Sequence, residues 1–302
     1  MENKEERVGI LYITAAYIFW GFLPIYWKLI DHVPADEILA HRIVWSFILM
    51  ICIVLSLRKW TPFVQECIRI FNNKKQLLCI TSASIVISLN WLTYIWAVNS
   101  DYVIQASLGY YINPLVSILL GMLVLNETLT KRQWISFAIA GIGVLYLTFS
   151  FGVFPWVSLV LAFTFGLYGL LKKMVDISAM FGLAIETMIV TPIAGIYLFA
   201  FPTQTFSLNN FFSGTGVLLI GAGIATAIPL LLFASGAKHI PLAMIGFLQY
   251  IAPTIMLVLG VFLFKETFST AHFIAFALIW IALIIYMGSI RRKPIGNQNQ
   301  QN

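Results

Sequence analysis

Ten separate runs of this chain are apolar without interruption over the length of a membrane-crossing helix, and no soluble fold can bury all of them. Crossing about 30 Å of hydrocarbon takes roughly 20 residues at 1.5 Å each. The runs fall at 8–28, 36–57, 77–98, 102–125, 130–149, 155–171, 180–200, 214–235, 242–264 and 270–289. They do not alternate between apolar and polar in segments of about ten, which excludes a transmembrane barrel. A chain of 302 residues that is 60% hydrophobic and 10% charged needs lipid as its solvent, and its 24 Phe exclude disorder. The first run follows Lys4, Glu5, Glu6 and Arg7, exceeds a signal-peptide core and lacks a small-residue cleavage site, so it reads as an uncleaved span.

A net charge of +6 does not mark a nucleic-acid binder, because the cations sit in short tufts between apolar runs. Counted over alternate connections, fifteen of the eighteen Lys and Arg residues fall on one side; Lys28 and Lys265 fall on the other, and Arg42 lies inside a span. Cations resist translocation, so this bias puts both termini in the cytoplasm. In the longest inner connection, Thr61 and Pro62 read as N-cap and first helical residue. Phe63, Cys67, Ile70 and Phe71 then share a face opposite Glu66 and Arg69, which fits a short helix on the inner membrane surface or a packed cytoplasmic connector. The polar tail 291–302 is expected to be disordered. Cys52, Cys67 and Cys79 are odd in number and lack CxxC spacing, so neither a disulfide framework nor a thiolate metal site is expected.

The chain also repeats itself. A shift of 139 residues lays Tyr111, Ile112, Pro114, Gly121, Glu127 and Phe137 on Tyr250, Ile251, Pro253, Gly260, Glu266 and Phe276. A weaker match at 144 or 145 lays Leu39 and Ala40 on Leu183 and Ala184. The fold class expected is an all-α polytopic membrane protein, with a five-helix unit over 1–150 and a second over 151–290. An odd number of crossings per unit inserts the second copy upside down. Two inverted copies can exchange conformations, closing one face of a central pocket while opening the other, which is the physical basis of alternating access.

Charge within hydrocarbon costs about 2.5 to 3.5 kcal/mol at mid-helix, so each instance needs a cause. Arg42 and Glu186 occupy one position of the two repeats under the shift of 144. Arg42 can receive an anionic substrate group and Glu186 a coupling proton; alternatively both snorkel or pair locally, Arg42 with Asp36 or Glu37, Glu186 with Lys172 or Lys173. His41, four residues after Glu37, suits either a proton relay or a structural pair. Asn90 and Tyr94 share one face of the third span, and Gln105, Gly109 and Asn113 one face of the fourth. With Gln249, Pro253 and Thr254 on the ninth, these line a wet cavity or bond helix to helix. Trp20, Trp91, Trp96, Tyr110, Tyr111 and Tyr250 supply aromatic walls or interfacial anchors. Pro24, Pro114, Pro192, Pro229 and Pro253 permit gating bends or ordinary kinks. Glu127 and Glu266 stand beside helix starts and read as turn and cap residues, with Thr130 and Gln133 at capping-box spacing. No HExxH or HxxxH motif is present, so metal catalysis is not expected.

Six segments carry a resemblance: FWGFLPIYWK (19–28), EILAHRIVWS (37–46), LNWLTYIWAVN (89–99), ASLGYYINPLVSILLG (106–121), LAIETMIVTP (183–192) and GFLQYIAPT (246–254). They closely resemble the RarD group of the EamA family, in the drug/metabolite transporter superfamily. The resemblance implies ten helices in two EamA repeats, a bacterial cytoplasmic-membrane permease and an association with chloramphenicol sensitivity or resistance. It also implies that Trp20, Lys28, Arg42, Asn90, Tyr111, Asn113, Glu186, Gln249 and Tyr250 match family motif positions. The function expected is a facilitative or proton-linked secondary transporter of a small metabolite or drug, without ATP or cofactor, since no Walker A sequence is present. A membrane-embedded lipid-modifying enzyme would need a nucleophile with a base, or a metal cluster, at one depth. A non-transporting sensor would keep the fold without a continuous cavity.

Overall fold

The computed structural model describes residues 2–99, 103–152, 154–201, 213–263 and 269–290. Lys265, Glu266, Thr267 and the tail 291–302 therefore lie outside the described residues. Among the described residues twelve α-helices form: α1 (Glu2–Lys28), α2 (Ala35–Ser56), α3 (Trp60–Asn72), α4 (Lys74–Asn99), α5 (Val103–Leu125), α6 (Lys131–Phe151), α7 (Trp156–Met174), α8 (Ala179–Ala200), α9 (Gly214–Ala237), α10 (Leu242–Gln249), α11 (Ile251–Val258) and α12 (Thr270–Ile290). No strand occurs among the described residues. Ten helical stretches among the described residues are long and apolar enough to cross a membrane, making this a multi-pass membrane protein.

Local chemistry sets the helix ends. Thr130 and Gln133 form the full capping box at the start of α6, while Ser178 and Ser213 cap α8 and α9 through their hydroxyls. The ninth span divides between α10 and α11 because Pro253 has no N–H to give the carbonyl of Gln249, four residues back. It continues into a π-helical turn, Leu259–Leu263. Pro24, Pro114, Pro192 and Pro229 lie within continuous helices. α3 is the short helix in the connection between the second and third spans; its Phe63 and Ile70 are buried against the bundle.

The halves interleave. α1 packs on α9 and α4 on α7; α2 on α9 and α4 on α8; α1 on α11 and α5 on α7. These pairings exchange among themselves when α1 is swapped with α7, α2 with α8, α4 with α9, and α5 with the ninth span. The contacts of α2 with α8, α5 with α10, and α6 with α12 map onto themselves. Small residues permit the closest crossings: a Cβ on Gly223 would stand 2.5 Å from the Trp45 carbonyl carbon, and Ser46 Oγ donates to the Gly223 carbonyl at 3.1 Å.

Candidate functional site

A cavity of about 940 Å³, counted to its open mouth, lies where the halves meet. Its walls come from the C-terminal halves of α1 and α4, the N-terminal halves of α2, α5 and α7, and the stretch of the ninth span around the break at Tyr250. All of these lie toward one end of the bundle. Of the residues expected from the sequence, Arg42, Asn90, Tyr94, Asn113 and Gln249 line it, as do the aromatic-wall candidates Trp20, Trp91 and Tyr110.

Arg42 is buried between two indoles, its guanidinium carbon 4.7 Å from the Trp27 ring centroid and 4.6 Å from that of Trp91. Its Nε donates to Thr226 Oγ1 at 2.9 Å. Among the described residues, no carboxylate lies within the 4.0 Å of an ion pair from Arg42, so Asp36 and Glu37 are not its partners. A planar cation stacked on aromatic faces keeps its remaining N–H groups for an incoming acceptor. Asn90 Nδ2 instead ties α4 to α7, donating to the Leu161 carbonyl at 2.9 Å and to Thr164 Oγ1 at 2.8 Å. Tyr94 and Tyr110 meet edge to face at 5.7 Å. Asn113 Oδ1, Gln249 Oε1 and the Tyr17 hydroxyl belong to cavity-lining residues and are buried without a hydrogen-bond partner among the described residues, which is uncommon unless something else binds there.

Several expected residues stand elsewhere. Tyr111 packs edge to face on Phe276 at 5.1 Å, and the Tyr250 hydroxyl donates to the Tyr111 carbonyl at 3.3 Å; both lie in the core behind the cavity wall. Gln105 lies on α5, but its side chain is outside the described residues. Glu37 and His41 form a local set on α2, with Oε1 and Nε2 3.9 Å apart and Trp45 Nε1 donating to His41 Nδ1 at 3.2 Å.

At the cavity floor, Trp20 and Phe165, with Phe233 and Tyr168 behind them, form an aromatic plug with successive centroids 5.7 to 5.9 Å apart. Below it Glu186 is buried, accepting from Lys172 Nζ at 2.7 Å and from the Tyr168 hydroxyl at 3.3 Å. At the end of the bundle, Glu127 reaches across the halves. Its carboxylate accepts the N–H groups of Leu242 at 2.6 Å and Ala243 at 2.8 Å, at the start of α10, with Lys173 4.0 Å away. The aim comes from the end of α5, where Asn126 takes the left-handed conformation (φ 53°) and the Glu127 N–H bonds the Gly121 carbonyl at 3.1 Å. A carboxylate on two free N–H groups is favoured by charge and by the helix dipole.

The EamA-like transporter family model matches the chain twice, over residues 7–149 and 155–288. The chain belongs to this family. Its relatives include the uncharacterized transporter YojE of Bacillus subtilis (strain 168), 47% identical over 95% of each chain. Protein RarD of Escherichia coli (strain K12) is 41% identical over 95% of this chain and 96% of its own. The protein named chloramphenicol-sensitive protein RarD in Pseudomonas aeruginosa is 28% identical over 92% of each. A solved structure, described as a crystal structure of a protein, is 17% identical and superposes with a TM-score of 0.72 over 94% of this chain and 99% of its own; it speaks to the fold alone. The EamA assignment makes this chain a membrane transporter of a small substrate, and the cavity the place to look for it.

Two participants in this EamA site escape the sequence reading. Trp27 flanks Arg42, although the aromatic-wall candidates do not include it; Trp27 lies fifteen residues before Arg42, and no periodicity links two different helices. Glu127 reads as a local turn residue because its nearest helix start is that of α6, four residues on; the helix it caps begins 115 residues later.

Proposed function

We propose that this protein is a secondary transporter that moves a small amphipathic solute bearing an anionic group across the cytoplasmic membrane by alternating access. Arg42 receives the anion, and Trp27 and Trp91 hold the guanidinium plane in place. The observation that carries this reading is a buried, doubly stacked guanidinium lining the cavity with no carboxylate in ion-pair range among the described residues. Unsatisfied acceptors on Asn113 and Gln249 suit N–H or O–H donors of the same solute.

The two units are inverted copies. The matched family halves, the exchangeable helix pairings and the odd number of spans per unit support this. With both termini cytoplasmic, as the loop charges argue, the cavity faces outward and the aromatic plug, the Lys172–Glu186 pair and the Glu127 cap together close the inner side. Opening the inner side parts Glu127 from the start of α10. Glu186 serves as the coupling-proton site: protonation removes the charge that holds Lys172 and loosens the inner closure. Chloramphenicol belongs among the solutes to test because a relative carries it in its name.

The test is counterflow. Purified protein in liposomes loaded with unlabelled solute is offered labelled amino acids, nucleobases and chloramphenicol. Labelled solute accumulating transiently without an imposed gradient establishes a carrier; no exchange with any of them removes the proposal.

A further inference from the structure

We infer that α3, with the basic residues at its two ends, is a binding surface for anionic phospholipid in the cytoplasmic leaflet. At 100° per residue its apolar arc has two edges. Phe63 and Ile70, at 3% and 0% exposure, form the edge packed on the bundle, where Phe63 meets Phe181 with centroids 5.8 Å apart. Trp60, Val64, Ile68 and Phe71 form the other edge and stand 47%, 37%, 56% and 52% exposed. A connector packed only against protein needs the first edge and gains nothing from the second. Leu55, Leu57 and Leu78, on the neighbouring spans, are exposed too, so the uncovered edge continues the apolar surface of α2 and α4.

Charge identifies the lipid class. Arg58 and Lys59 precede α3, and Lys74 and Lys75 follow it; all four are exposed with no carboxylate in ion-pair range among the described residues. Arg58 takes the left-handed conformation (φ 54°) that ends α2 and turns the chain into α3. The polar face, by contrast, is occupied: Arg69 bonds Glu66 at 2.7 Å and the Asp176 carbonyl, which anchors the helix to the loop between α7 and α8. The arrangement is an apolar edge at acyl-chain level with two unpaired cations at each end at headgroup level. This rests on the cytoplasmic orientation proposed above, but not on transport.

The test uses full-length protein in bilayers. Trp60 emission, taken as the difference between the natural chain and Trp60→Phe, is expected to be quenched by brominated acyl chains. Each headgroup-level cation contributes on the order of fivefold to anionic-lipid binding. Changing Arg58, Lys59, Lys74 and Lys75 together to Gln is therefore expected to lower the retention of phosphatidylglycerol over phosphatidylcholine, read by native mass spectrometry, by at least about tenfold. An unquenched Trp60, as a second copy or a soluble partner covering this edge would give, overturns the proposal. So does unchanged phosphatidylglycerol retention in the four-residue variant, whether or not the protein transports.

Discussion

The Tyr250 hydroxyl donates to the backbone carbonyl of Tyr111 at 3.3 Å, and the 139 residues between them are the shift that superimposes the C-terminal parts of the two repeats. In a two-fold arrangement, equivalent residues touch only near the axis. The pair stands behind the cavity wall and beside the helix break at Tyr250, where the axis of the proposed inverted arrangement would pass.

Arg42→Met is expected to lower the apparent affinity for an anionic or zwitterionic solute at least about tenfold while sparing a neutral one. Arg42→Lys keeps the charge but loses the flat stack on Trp27 and Trp91, worth about 0.5 to 2 kcal/mol per ring, and should fall between. Competition binding with paired anionic and neutral solutes measures this; equal losses for both would make Arg42 purely structural.

Glu127→Gln removes the carboxylate from the start of α10 and its charge from beside Lys173. At about 1 to 2 kcal/mol, the loss should shift the population toward the inward-open form by roughly five- to thirtyfold. In a background without Cys52, Cys67 and Cys79, alkylation of a cysteine at buried Ala234 should accelerate accordingly. Thr130→Ala, which breaks only the α6 capping box, should leave that rate unchanged.

Lys172→Met leaves Glu186 buried and unpaired, which should cost about 3 to 5 kcal/mol of stability, visible as a lowered melting temperature in detergent. Pairing Lys172→Met with Glu186→Leu should restore most of it. Glu186→Gln should express while its flux loses pH dependence; normal coupling in that variant removes Glu186 from the proton pathway.

Gly223→Leu forces a side chain onto the α2 backbone, where even a Cβ would come within 2.5 Å of Trp45. The crossing must part and the Ser46 bond must break, so a loss of about 2 kcal/mol or more is expected in thermal unfolding.

The spans are legible because hydrophobic continuity over 20 residues has few other causes: 36–57 and 214–235 correspond to Ala35–Ser56 and Gly214–Ala237. Depth and face also follow from sequence, which is why Asn90, Asn113 and Gln249 prove to line one cavity. What a side chain meets across helices does not follow. Arg42 and Glu186 occupy matching repeat positions, yet one faces the cavity between indoles while the other lies below the plug on Lys172. Tyr111 and Tyr250, the same residue under the repeat shift, pack together in the core behind the cavity wall rather than lining it. On α3, periodicity reveals one apolar arc; only the folded bundle divides it into a covered and an uncovered edge.

The most direct test of the carrier account is the reactivity of one buried cavity position from both sides of the membrane. With Asn113→Cys as the only cysteine, a membrane-impermeant thiol reagent is added to right-side-out and to inverted vesicles. Alternating access predicts modification in both preparations and protection by a transported solute. Modification from one side alone, under every condition, would contradict it.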